Sequence, residues 1–229
     1  MNLLLISVAP VVIILVYIYY RDKYEKEPVS LLAKGLVAGV LTVPPIIIAE
    51  RLVSSSLPFL FSEKIGLAFG NAFLVAGFCE EAFKLLAVYI LIWKNPNFNE
   101  RFDGIVYAVF VSLGFALVEN LMYVFSNGFH VGISRAFTAV PAHAMFGIMM
   151  GYYLGLAKFI AASRTKYLAL AFFVPFFFHG FYDFILMVQI QWLLFLFFPL
   201  LIFMMRRTHK RMKEHEQNSV FKSQQYFND

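Results

Sequence analysis

Residues 67–93 read LAFGNAFLVAGFCEEAFKLLAVYILIW. Twenty-seven residues are almost entirely apolar, but Glu80, Glu81 and Lys84 sit near their centre. About 20 such residues cross a bilayer as a helix. A charge at that depth costs roughly 2.5–3.5 kcal/mol even on the lenient insertion scale. The stretch thus predicts both a membrane-spanning helix and a polar interior that offsets the cost of its charges.

The rest of the chain has the same character. Hydrophobic residues make up 61% of its 229 residues and charged residues 14%, and the mean hydropathy is +0.73. Soluble domains run near 45–50% and 25%, so the composition excludes an ordinary soluble domain and a disordered chain. The net charge of +5 is read as loop charge, not as a nucleic-acid surface. With Cys79 as the sole cysteine, neither an internal disulfide nor a four-cysteine metal site can form.

The expected fold is all-α and polytopic, with about seven spans: 3–20, 31–53, 67–93, 104–125, 134–157, 167–188 and 190–205. The last two are crowded, so six spans plus a tilted piece is the alternative. A β-barrel would alternate polarity in segments of about ten residues, and these segments do not. The N-terminus has no basic stretch ahead of its apolar run and no clear cleavage site, so it reads as a retained span. Residues 1–205 form the expected membrane domain and 206–229 a basic tail, predicted to be disordered or to lie on anionic lipid.

Basic residues orient the chain. Arg21, Lys23 and Lys26 follow the first span, Lys94 and Arg101 the third, Lys158, Arg164 and Lys166 the fifth, and Arg206 to Lys213 the seventh. The intervening loops hold Lys64, with Arg51 and Arg135 near helix ends. The positive-inside rule places the N-terminus outside and the C-terminus in the cytoplasm.

Several ionisable residues fall within the spans: Glu80, Glu81, Lys84, Glu119 with Asn120, His143, His179 and Asp183. Together they imply a hydrated cavity between helices. Lys84 lies four residues after Glu80 and three after Glu81, so it shares their face and is expected to offset one carboxylate but not both. Asp183 lies one turn after His179 and can fix its tautomer. At 1.5 Å per residue, Glu119 is roughly 9 Å, His143 and His179 roughly 13 Å, and Glu80 about 20 Å from the predicted outer ends of their spans. The cluster should open outward.

Plainer readings exist for some of these. Asp103 before Gly104 reads as an N-cap. Glu119 and Asn120 serve equally well as interhelical hydrogen-bonding groups, and His143 heads a small-residue packing row with Gly147, Gly151 and Gly155. Cys79 reads as packing. Two adjacent midspan carboxylates have no easy structural role.

Carboxylates with two histidines suit general-base activation of water, with the histidines available to a developing oxyanion. No H-E-x-x-H zinc motif occurs, and Ser112 lies in VSLG, not in a nucleophile elbow. Tyr182-Asp183 lacks the G-x-G-D partner of an aspartyl intramembrane protease. A dispersed metal site using both histidines stays open, and a proton-coupled transporter or a non-catalytic scaffold would use the same residues.

The ordered set EEAFK at 80–84, FDGIVYA at 102–108, GFALVEN at 114–120, His143, and HGFYD at 179–183, with DKYEKEP at 22–28, resembles the PrsW family of bacterial intramembrane proteases. The family is related to the CAAX prenyl endopeptidases, which commonly carry Asn at the place of Asp183. The resemblance implies a glutamate-dependent endopeptidase of the bacterial plasma membrane. Its substrate would be a single-span anti-sigma factor of the RsiW type, given its first cut under envelope stress or antimicrobial peptides. Glu80, Glu81, His143 and His179 fall on the catalytic positions, with Lys84, Glu119, Asn120 and Asp183 in support. No cofactor is expected. The reasons against a metal are that no two histidines share a helix at ligand spacing and that few supporting groups surround His179.

Overall fold

The computed structural model describes residues 2–222, all helices and connections with no strand among them. Helix α1 spans Leu3–Arg21 and α2 Val29–Leu60. A continuous third pass is built from α3 (Lys64–Phe69), a π-helical stretch (Gly70–Gly77) and α4 (Phe78–Ile92). Then come α5 (Arg101–Asn127), α6 (Phe129–Phe137), α7 (Ala139–Phe159), α8 (Arg164–Met187), the short α9 (Gln191–Leu194) and α10 (Phe197–Gln217). Among the described residues, six segments are long and apolar enough to cross a membrane. The π-interrupted pass at 64–92 is the seventh.

Helices α5 and α7 form the centre of the bundle and bury most of their residues, while α1 and α10 lie at its edge. The α5–α7 contact rests on the glycine row. A Cβ at Gly147 would sit 3.0 Å from Val109 Cα, and one at Gly151 would come 2.5 Å from Ile105 Cα. Small residues that let two backbones touch are the usual glue between apolar helices in lipid. Ser112 Oγ adds a hydrogen bond to the His143 carbonyl at 2.7 Å.

Three sequence expectations need correction. Asp103 is not the N-cap of α5. Glu100 is, and Asp103 occupies the third helical position, where its carboxylate accepts from Glu100 N at 2.7 Å and Asn99 N at 2.9 Å in a capping box. The span expected to begin at Ser134 is broken at Thr138, so that α6 is a separate short helix before α7. The span expected to begin at Ile190 is present as the apolar segment Gln191–Gln217, in which the short α9 precedes α10.

The last correction concerns the basic tail, whose residues 223–229 lie outside the described residues. Up to Gln217 it is neither disordered nor free on lipid but the second half of α10. Thr208, Met212 and His215 form a buried stripe on it. Arg211 Nη1 donates to the Tyr152 hydroxyl at 2.8 Å, that hydroxyl donates to Glu214 Oε1 at 2.7 Å, and Glu216 pairs with Arg21 at 2.8 Å and Lys23 at 2.7 Å. The basic ends of α1 and α10 therefore meet at one end of the bundle.

That end also carries an acidic pocket where the 22–28 loop meets the start of α5. Asp22, Glu27, Glu100 and Asp103 are buried there. Burial, with Glu100 nearby, pushes Asp22 up to about 7; burial, with Asp103 nearby, pushes Glu27 up to about 10.

Candidate active site

The π-helical stretch delivers α4 to the site. Its wider turns place Gly77 against α8, where an added Cβ would lie 3.2 Å from Gly180 N and 3.3 Å from Phe176 O. On the other side of the crossing, a Cβ at Gly180 would enter the Phe73 ring. Side chains at either glycine would hold α4 and α8 apart. π-Helical turns often occur beside functional sites, and here Glu80 and Glu81 follow in the first turn of α4, directly facing His179 on α8.

Lys84 Nζ lies 2.9 Å from Glu80 Oε2 and 2.9 Å from Glu81 Oε1, so it bridges both carboxylates where the sequence suggested one. It is fully buried, 4.3 Å from the centre of the Phe115 ring, and 3.4 Å from His143 Nδ1. His179 Nδ1 is 2.8 Å from Glu81 Oε1. Its Nε2 faces Asp183 Oδ2 at 3.4 Å and Glu80 Oε2 at 3.8 Å. The closer orienting carboxylate of His179 is therefore Glu81, and Asp183 is the more distant partner. Phe146 stacks on the imidazole at 4.7 Å.

A second half of the network hangs on Glu119. Its Oε2 is 2.9 Å from His143 Nε2 and 2.7 Å from Arg135 Nη2. Arg135 Nε also donates to Asn120 Oδ1 at 2.8 Å, and Asn120 Nδ2 reaches the Ser7 carbonyl at 2.8 Å. Glu119 is thus part of the site through His143, while Asn120 ties α5 to α1 behind it. The two imidazoles are 5.4 Å apart and nearly perpendicular, so every expected site residue falls in one cluster.

The cluster borders a cavity of about 680 Å³ that includes Glu80, Glu119, His143, His179 and Asp183 in its wall. Glu81 is not part of that wall and is fully buried, whereas Glu80 is 5% exposed. The adjacent carboxylates thus face different surroundings. The cavity wall includes Asn71, Ser126 and Ser134, near the end of the bundle opposite the basic one.

Two residues of this cavity escaped the sequence reading. Glu50 sits in the wall. It lay inside the predicted second span, and its carboxylate was the signal. Arg135 read as a helix-end charge; it comes over Glu119 because the chain reverses at Gly128, whose φ of 86° lies in the left-handed region.

Comparison with known proteins shows the family. Residues 27–206 match the family described as PrsW family intramembrane metalloprotease. The chain is 39% identical over 191 residues to protease PrsW of Geobacillus kaustophilus, covering 83% of this chain and 82% of that protein. It is 36% identical over 200 residues to protease PrsW of Bacillus subtilis (86% and 88%), and 35% identical over 226 residues to that of Clostridioides difficile (96% and 93%). The chain belongs to the PrsW family. It is accordingly a polytopic membrane endopeptidase. No solved structure matches it.

The PrsW family description names a metal, against the cofactor-free expectation. The donors suit one. Glu80, Glu81 and His179 each offer a ligand atom within 4.8 Å of the others. Glu81 Oε2 is buried with no hydrogen-bond partner among the described residues. Glu80, Glu81 and Glu119 pair with two fixed cations, Lys84 and Arg135, while Asp183 pairs with His179, so carboxylates outnumber fixed cations in the cluster and it has room for positive charge. The argument from histidine spacing along one helix fails because α4 and α8 supply the donors jointly.

Proposed function

We propose that this PrsW-family protease makes the first cut in a single-span anti-sigma factor of the RsiW type, triggered by envelope stress or antimicrobial peptides, with water activated at Glu80. The observation that carries the catalytic assignment is the contrast within the glutamate pair: Glu80 faces the cavity and Glu81 does not.

Each side chain then has a distinct task. Glu80 accepts the proton of the attacking water. Glu81 is a positioning residue that holds His179 by Nδ1 and leaves Nε2 turned toward the cavity. Lys84 places its ammonium between both carboxylates in an apolar bundle. His143 has both ring nitrogens engaged, one by Glu119 and one by Lys84, so it positions the lysine. Asp183 orients His179 from the other side, and Arg135 holds Glu119.

Glu80, Glu81 and His179 are the residues that would hold a divalent ion such as zinc, which would polarise the water and the scissile carbonyl. The cavity lies at the end opposite the basic one. With the basic end cytoplasmic by the positive-inside rule, the cavity opens outward, where an external segment of a single-span substrate can enter.

The deciding experiment uses purified protein in lipid nanodiscs with a purified single-span anti-sigma factor, and product mass is measured. One defined cut is expected with the wild type and none with Glu80→Gln at equal protein level. Equal cleavage by Glu80→Gln would overturn the assignment.

A further inference from the structure

The acidic pocket at the basic end of the bundle is separate from the catalytic cluster. Glu25, Glu27 and Asp103 each place a carboxylate oxygen within 4.8 Å of the other two. Glu27 is 3% and Asp103 0% exposed. Among the described residues no ion pair reaches Asp22, Glu25, Glu27, Glu100 or Asp103. Lys26, the nearest lysine in sequence, points elsewhere: its ammonium bonds the Tyr19 carbonyl at 2.6 Å and the Asp22 carbonyl, and lies 5.0 Å from the centre of the Tyr19 ring.

The hydrogen bonds the pocket does make leave much unsatisfied. Tyr107 donates its hydroxyl to Glu27, Ser219 donates to Glu100, and Asn99 Nδ2 donates to Glu25 Oε1 at 3.1 Å. Five buried oxygens still lack a hydrogen-bond partner among the described residues: Asp22 Oδ1, Glu25 Oε2, Glu27 Oε1, Asn99 Oδ1 and Asp103 Oδ1. Such orphans are uncommon and call for an ion, a proton or water. One proton shared by Glu27 and Asp103 would satisfy that pair alone. Water would fill lone pairs but leave the negative charge. A cation with several oxygen ligands answers both needs.

We propose that Glu25, Glu27 and Asp103 bind one hard divalent cation of the magnesium or calcium class, which pins the α1–α2 loop to the start of α5. The ligands are all oxygens, with no cysteine or histidine among the three. That donor set selects magnesium, calcium and manganese over zinc or copper. The site joins segments about 80 residues apart in sequence, and Ser219, just beyond α10, reaches it through Glu100. A cation here would therefore organise the loop end of the bundle, away from the catalytic cavity.

The test is manganese binding, read by the loss of the free Mn²⁺ paramagnetic resonance signal, with the full-length protein in nanodiscs. The wild type and Glu80→Gln should each retain a bound ion, whereas Glu25→Gln, at a half-buried position, should weaken binding about tenfold or more. Competition by MgCl₂ and by CaCl₂ in separate arms identifies the better ion. Hydrogen exchange across residues 22–28 should slow when that ion is added to wild type and stay unchanged in Glu25→Gln. Absence of bound Mn²⁺ in the wild type overturns the proposal without any variant. So does unchanged binding in a folded Glu25→Gln, or loss of all binding in Glu80→Gln, which would place the ion in the catalytic cluster.

Discussion

Glu81 and His179, 98 positions apart, meet at 2.8 Å between Oε1 and Nδ1 and join α4 to α8 inside the bundle. The contact gives the two glutamates unequal work. Glu81 holds an imidazole and a lysine away from the cavity, whereas Glu80 lies in the cavity wall.

The pair should therefore separate on mutation. Glu80→Gln is expected to abolish cleavage while moving the melting temperature little, because Glu80 borders a cavity. Glu81→Ala should abolish cleavage and also destabilise by about 3–5 kcal/mol, since it strips Lys84 and His179 of a buried partner. Thermal melts in detergent beside product assays distinguish the two. Equal destabilisation by both would contradict the division of roles.

Lys84 allows a sharper comparison. Lys84→Met leaves two adjacent carboxylates without their cation and should remove activity. Lys84→Arg should fail to restore it, because the ammonium is fully buried against Phe115 with three partners and the planar guanidinium does not fit a site built for a compact charge. Wild-type turnover in Lys84→Arg would show that charge alone suffices.

The helix crossing can be tested without touching a polar group. Gly180→Ala puts a methyl into the Phe73 ring, and should cost cleavage at least tenfold with the protein still in the membrane. Gly128→Ala meets nothing within 4 Å but keeps a φ of 86°; it should cost stability by about 1 kcal/mol and spare most activity.

Metal removal bears on the donors at Glu80, Glu81 and His179. Stripping the protein with a strong chelator should stop cleavage, and zinc should restore it. Undiminished cleavage after stripping would return the mechanism to a metal-free glutamate base.

Topology follows from charge. In a Cys79→Ser background, a cysteine at Leu60, which is exposed, should react with an impermeant maleimide added to intact cells. One at Lys94 should react only after permeabilisation. The reverse pattern would invert the orientation.

Much of the fold was legible in the sequence because lipid makes simple demands: an apolar run of sufficient length becomes a helix, and an intramembrane charge needs a partner. Hence Glu80, Glu81, Lys84, His143 and His179 stand out in the sequence without their contacts. What was hidden depended on how the chain turns. Arg135 reaches Glu119 only through the reversal at Gly128, which one glycine does not announce. Asp103 looked like a cap because the extended Glu100 before it gave no pattern of its own. The docking of α10 hid behind its basic composition, although Thr208, Met212 and His215 already lay on one helical face.

Helix α7 carries Tyr152, which receives α10, and His143, which braces Lys84, nine residues apart. At 1.5 Å per residue that separation is about 14 Å. The glycine row seats the same helix on the α5 backbone along much of this length, so α7 behaves as a strut and not as a string of independent contacts. Prising α10 from Tyr152 would load one end of that strut while His143 bears on the other. In mechanical terms the buried Glu/His cluster and the far face of the protein share one member, and a tug on the docked helix has a short route to the lysine between the glutamates.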